Sequence, residues 1–290
     1  MIEMPNIFCF SHIYSYLCSV FRIITTGKMI NIRRMSVEDV EALVVAPVND
    51  KLLPEQRFES SLTLSELVVR MVTFVICHVI VDYGERLKDE RMSVASALLQ
   101  RVTSTHLCNQ KLTQEGIVMQ YEGEEFELHD EYRTMTLTRS VYEHLVMFYF
   151  LYQHPKSEEE RNLVWNYWKT NSMKNGCVEA VREGGKLNIK QVSYNQSWKY
   201  LFDKDEMMLL YRHLSIHCHP VYDGLMQYQN QAQSDEGYDG IPLYLSSCFL
   251  AYMCRMFLRM IPNGNKLLRQ HFSKQELKAF NALAQLPDEE

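Results

Sequence analysis

Residues 203–220, DKDEMMLLYRHLSIHCHP, carry an arginine, a serine and three histidines within one helix-length segment. Asp203 or Asp205 can cap its start, and Pro220 forbids a helix from running much past His219. At about 100° per residue, Arg212 and His219 return to nearly the same face two turns apart, with Ser215 between them. That face presents a guanidinium, a hydroxyl and an imidazole. A guanidinium grips a phosphate through two hydrogen bonds, and an imidazole titrates near neutrality, so it takes a proton from a ribose 2′-hydroxyl or gives one to a leaving oxygen. Such chemistry requires no metal. His217 is rotated roughly 140° from Arg212, so helical geometry favours His219 as the partner. His213 and His217 stand at i, i+4 and open a different chemistry: joined by Glu143 or His144 they would chelate a metal, or they simply lie side by side.

A second set of ionisable groups falls in residues 132–153, YRTMTLTRSVYEHLVMFYFLYQ. Arg139 and Glu143 are i, i+4, as are Ser140 and His144, on an otherwise apolar helix. Two explanations compete for a charged pair in that setting. It is a buried ion pair or a pair at a helix crossing, or it faces the Arg212, Ser215 and His219 stripe across a cleft.

The elements that must position these groups read as helices. The chain has 290 residues, 47% of them hydrophobic, with eleven Gly and eight Pro, which is enough for a sizeable core and few breakers for its length. An all-α multi-helix bundle is expected. The eight cysteines are scattered without a CxxC pair, which excludes a zinc-finger or disulfide framework and suits reduced thiols in a cytoplasm. A net charge of −6 excludes coating nucleic acid or anionic membrane by bulk electrostatics. No internal repeat marks a solenoid.

In order, residues 1–35 read as an amino-terminal helical add-on, apolar over 7–24 but interrupted by His12 and Arg22. Residues 36–62 read as a short helix starting at Ser36 and Asp39, followed by a polar linker, and 63–290 as the main helical domain. Thr63 and Glu66 offer a capping box for the longest helix, about residues 64–89, and His78 on it reads as a core histidine. Ser93 starts the next helix, to about 109. IVMQY and FEL then form a small hairpin. GCVEAVREGGKLNIKQVSYNQS reads as a loop after a helix, and residues 221–240 as an excursion over the site. The apolar run 241–261 is long enough to span a bilayer, but Arg255 and Arg259 favour a buried helix, and no membrane is expected. Ser273 and Glu276 cap a final amphipathic helix.

Residues 161–204 hold eight Lys or Arg against three acids, together with all three tryptophans. Basic and aromatic residues interleaved in this way suit a single-stranded RNA path, whereas the plainer reading makes the aromatics core and the lysines wet surface.

RHLSIH and RHLSIHCH resemble the R-x(4–6)-H signature of the HEPN superfamily, including a polar residue, His213, directly after the arginine. More specifically, TRSVYEHL followed by LLYRHLSIHCHP resembles an uncharacterised bacterial helical domain family of unknown function, which pairs an R-[ST]-x-[YF]-E helix with a Y-x-x-L-S-x-x-x-H helix. The matching positions are Arg139, Ser140, Tyr142 and Glu143, then Tyr211, Leu214, Ser215 and His219, within residues 132–225. The resemblance implies a HEPN-like helical bundle, often a homodimer, of a group in which many members are metal-independent ribonucleases of defence or RNA-processing systems and others only bind. In that setting Arg212 holds the scissile phosphate, His219 acts as general acid or base, Arg139 and Glu143 orient them, and Tyr211, Tyr142 and His217 contact the substrate, with no cofactor. Two other readings stand beside it: a metal site on His213 and His217, and a non-catalytic helical binding protein whose polar stripe is structural.

Overall fold

A computed structural model describes residues 31–82, 89–115, 117–121, 123–128, 131–171, 176–201, 205–216 and 240–284. A 3-10 turn at Ile32–Arg34 leads into α1 (Val37–Val45), and a second at Ala46–Val48 leads to α2 (Pro54–Asp82) and α3 (Glu90–Glu115). A hairpin follows, β1 (Ile117–Tyr121) with β2 (Glu124–Leu128), and then α4 (Glu131–Tyr152) and α5 (Glu158–Thr170). A second hairpin pairs β3 (Gly176–Glu183) with β4 (Lys186–Ser193), before α6 (Tyr194–Leu201) and α7 (Asp205–Ile216). The chain closes with α8 (Ile241–Met260), α9 (Gly264–His271) and α10 (Lys274–Ala284). The protein is mostly helical, and among the described residues the strands form two separate antiparallel pairs.

The long helices α2, α3, α4 and α8 build the core. α8 carries no charge before Arg255 and packs on α2, α3, α4 and α10, so its apolar side chains are covered on all sides. Each large one removed from water contributes roughly 1.5–3 kcal/mol. Gly240, at φ 73°, brings the start of α8 against α2, where a side chain would press on Ser61. Residues 54–79 and 241–260 are each long and apolar enough to cross a membrane, and 67% and 72% of their most apolar windows are buried against neighbouring elements.

Polar side chains also enter this core. His106 on α3 is fully buried, its Nε2 2.9 Å from Ser65 Oγ on α2 and its Nδ1 2.7 Å from Ser246 Oγ on α8. One turn on, Asn109 donates to Thr138 Oγ1 on α4 at 2.9 Å, and the Thr138 hydroxyl lies 2.8 Å from both Thr134 O and Pro242 O. These neutral groups lace three faces of the bundle together.

Capping signals read from the sequence hold at two ends. Ser36 and Asp39 form a reciprocal box at α1. At α10, Ser273 Oγ accepts from Glu276 N at 3.2 Å and Glu276 Oε2 from Ser273 N at 2.8 Å. The other oxygen of this buried carboxylate receives Arg33 Nε at 3.1 Å and the Arg70 guanidinium. Burial alone would raise the Glu276 pKa, but the Ser273 amide and the two arginines outweigh it and hold the carboxyl below its usual range.

Two expected boundaries move. The longest helix starts at Pro54, not near residue 64, so the expected linker is partly its first two turns. Proline at the first helical position lacks only a donor that no helix would use there, and Gln56 Oε1 accepts from Leu53 N at 3.1 Å. Thr63 does not cap; its hydroxyl donates to Glu59 O at 2.9 Å within the helix. α3 starts at Glu90 rather than Ser93, with Asp89 Oδ1 accepting from Arg91 N at 2.9 Å.

The larger correction is the segment expected to be a loop. It forms the β3–β4 ladder, in register from Gly176↔Ser193 to Glu183↔Lys186, closed by Gly184 and Gly185 at φ 57° and 82°. Two successive left-handed residues match the right-handed twist of the flanking strands, which is why a Gly-Gly pair suits a two-residue hairpin turn. The hairpin packs on α4 and α5 as a small addition to a mostly helical fold, which is consistent with the expected all-α class. The expected β1–β2 hairpin is present, Ile117↔Leu128 to Tyr121↔Glu124.

Candidate functional site: the α4–α7 junction

Arg139 and Glu143 project from one side of α4, with Arg139 Nε 2.9 Å from Glu143 Oε1. Their side chains are 19% and 28% exposed, so the pair sits at the rim of the bundle. α7 packs across α4 and brings Tyr211 onto the pair. The phenol oxygen lies 3.4 Å from both Arg139 Nη2 and Glu143 Oε1, and the guanidinium carbon stands 5.5 Å from the centre of the Tyr211 ring. A cation over an aromatic face is attracted by the ring quadrupole, so Tyr211 holds Arg139 by its face as well as its oxygen. Burial raises the Tyr211 pKa, with Arg139 opposing and Glu143 reinforcing, and the phenol stays a neutral donor at physiological pH.

Behind this layer lies a second one. The Tyr142 ring, buried, is 5.2 Å from that of Tyr211, and its oxygen is 3.0 Å from Ser197 Oγ on α6. Ser197 spends its proton on Tyr194 O at 2.7 Å, so Tyr142 is the donor to Ser197. Cys177 on β3 hydrogen-bonds Tyr194, and burial pushes its thiol up to about 12. The Glu143 charge adds to burial in raising the pKa values of Tyr142, Tyr194, Tyr211 and Cys177, all of which remain protonated.

α7 turns Tyr211, Leu214 and Ser215 inward, and Ser215 Oγ donates to Tyr211 O at 2.7 Å. Arg212 and His213 are exposed on its outer side. Tyr211, and not Arg212, therefore meets the Arg139–Glu143 pair. Among the described residues no ion pair or hydrogen bond joins Arg212 to that pair. Helix α7 is described to Ile216, and His217 and His219 lie outside the described residues. On α4 the expected Ser140–His144 pair forms through the backbone: His144 Nδ1 is 2.7 Å from Ser140 O, which fixes the proton on Nδ1 because a carbonyl only accepts. Among the described residues no group of three or more His, Cys, Asp or Glu could hold a metal ion.

Ser197, Tyr194 and Cys177 were not singled out as site residues from the sequence. Their approach depends on the β3–β4 hairpin, and no local spacing announces it. The same hairpin builds a second ionic cluster: Glu179, buried, receives Tyr200 Oη at 3.0 Å, Lys190 Nζ at 3.2 Å and His154 Nε2 at 3.3 Å. Burial lowers the His154 pKa, with Glu179 opposing.

In the basic and aromatic segment Arg161, Lys169, Arg182 and Lys190 are paired, whereas the exposed Lys186 and Lys199 enter no ion pair among the described residues. Arg161 pairs with Glu158 at 3.4 Å, Lys169 with Glu90 at 2.7 Å and Arg182 with Glu159 at 3.0 Å. Trp165 is buried under Arg91 and against Trp168. Trp165 and Trp168 thus pack together, and the paired cations lie at the surface around them.

No protein-family model, curated protein or solved structure matches the chain.

Proposed function

We propose that the α4–α7 junction is a metal-independent, HEPN-like site for cleaving RNA phosphodiesters, in a bacterial defence or RNA-processing setting. The observation that carries this reading is the meeting of Arg139, Glu143 and Tyr211, from motif helices some seventy residues apart, within 3.4 Å at a solvent-reached rim. These are motif positions of the resemblance, and Arg212 stands exposed one residue beyond Tyr211.

In this mechanism Arg212 grips the scissile phosphate and His219 transfers the proton between the 2′-hydroxyl, the attacking group, and the departing 5′ oxygen. Arg139 and Glu143 act as positioning residues: they hold Tyr211 from two sides, which fixes the rotation of α7 and so the direction of Arg212. A homodimer and a cytoplasmic location belong to the same reading.

The test is cleavage of labelled single-stranded RNA in excess chelator. His219→Ala and Arg212→Gln should each lower the rate by about 100-fold or more with the helical circular dichroism unchanged. Cleavage equal to that of the parent in His219→Ala removes the mechanism. A second reading draws on the mutual neutralisation of Arg139 and Glu143 and on Tyr211 being only 7% exposed. The junction is then a strut in a non-catalytic binding protein, and its signature is RNA retained without cleavage, or no RNA interaction, in every variant.

A further inference from the structure

α8, α9 and α10 meet around a cavity of about 290 Å³. Arg255 on α8, Asn265 and Arg269 on α9 and Asn281 on α10 stand around it, above a floor that includes the buried Leu258 and Phe280. The placement follows from helical spacing, since positions three or four apart share a face. It also depends on Gly264. A side chain there would lie 2.2 Å from the Leu258 carbonyl oxygen, so α9 begins pressed against the last turns of α8 and carries Asn265 and Arg269 over the floor.

The charge around this cavity is unlike that of the whole chain. Residues 241–284 contain six Lys or Arg and a single acid, in a protein of net charge −6. That acid is Glu276, buried and committed to Arg33 and Arg70. Of the six cations, Lys278 reaches Glu41 on α1, whereas Arg255 and Arg269 enter no ion pair among the described residues. Arg255 is half-buried there, and a guanidinium partly withdrawn from water without a counter-charge favours an anion brought in from solution.

We infer that this cavity binds a small organic phosphate. Two guanidiniums offer two positive charges, which a phosphate monoester, carrying about −1.5 to −2 at neutral pH, matches better than a single carboxylate does. Leu277, partly exposed in the lining, offers apolar contact to the body of the ligand, and the two asparagine amides, each donor and acceptor, read its polar edges. The volume falls at the small end of small-molecule sites, roughly 300–1,000 Å³, which selects a ligand of about mononucleotide size. This site is separate from the α4–α7 junction and does not rest on its proposed reaction.

The experiment is a titration of the purified full chain, followed by thermal melting and calorimetry at constant ionic strength, with adenosine 5′-monophosphate and with inorganic phosphate as probes. The parent protein should show a saturable rise in melting temperature with the nucleotide and a weaker one with inorganic phosphate. Arg269→Gln, at an exposed position that tolerates the change, and Arg255→Gln should each weaken nucleotide binding by about 10-fold or more, the loss expected for a charge-assisted contact. Arg259→Gln, exposed on the same helix but outside the lining, should bind as the parent does. No saturable shift with either probe overturns the inference. So does a shift that survives both Arg255→Gln and Arg269→Gln, or one that Arg212→Gln alone abolishes, which would move phosphate binding to α7.

Discussion

Ser65, His106 and Ser246 meet deep in the bundle with no formal charge among them, whereas Arg139 and Glu143 carry full charges at a rim that water reaches. One helix reaches both depths: α4 places Thr138 in the interior beside Asn109 and Arg139, the next residue, at the rim. Depth accounts for the difference. A charge removed from water loses hydration worth several kcal/mol, which a single partner rarely restores, while a neutral hydroxyl or imidazole needs only its hydrogen bonds. His106 obeys this rule strictly: burial lowers its pKa to about 3, so it is neutral at any physiological pH. Its two nitrogens then have opposite roles, one donating to a serine and the other accepting from the opposite serine.

Breaking the interior should have the largest effect. His106→Ala opens a cavity and leaves the Ser65 and Ser246 hydroxyls unpaired, which should cost about 3 kcal/mol in denaturant unfolding. A loss below about 1 kcal/mol would mean that the seam is not a cooperative part of the core.

Acidification sharpens the contrast. The folded state excludes the His106 proton and the unfolded chain accepts it below about pH 6.5, so this stability is complete above that value and drains away as pH falls toward about 3. At pH 5.5 the loss is about 1.4 kcal/mol. Glu66, which burial pushes up to about 7 against the pull of Arg70, acts with the opposite sign: its folded form keeps a proton that the unfolded chain has released, so it favours folding increasingly as pH falls below 7. Comparison with His106→Gln at each pH isolates the histidine, and equal slopes for the two proteins would refute the assignment.

Gln110, one residue past Asn109 and 1% exposed, has neither amide atom hydrogen-bonded. Gln110→Leu should therefore hold or raise stability, by up to about 1 kcal/mol, where a paired buried amide would lose that much. At the rim the effect shrinks again: a double-mutant cycle on Arg139→Gln and Glu143→Gln should return a coupling of only about 0.3–0.5 kcal/mol, falling with added salt. A coupling above about 2 kcal/mol would place the pair in the interior class.

The sequence disclosed the parts of this protein that are local. Ser36 with Asp39 and Ser273 with Glu276 announce their helices because a capping box is complete within four residues. The polar residues before 63 read as a linker, yet Pro54 opens a helix among them, as proline does at a first helical position. The strand character of 176–193 is present as alternation, with Leu187 and Ile189 more covered than Lys186, Asn188 and Lys190, but the paired glycines read equally well as part of a loop after a helix. At α7 the phase of the helix is set by its apolar residues and not by the groups able to do chemistry: Leu210, Tyr211 and Leu214 pack inward and carry Arg212 outward. The His106 seam could not have been found this way, because Ser65, His106 and Ser246 share no segment and meet only after three helices pack.

The Glu276 carboxylate latches the front of the described chain to its back. Arg33 and the first turn of α10 share one small anion, so trimming either end should be felt at the other: a protein cut before Met35 loses one of the two guanidiniums on that carboxylate, and a protein cut before α10 leaves Arg33 and Arg70 facing each other with nothing between them.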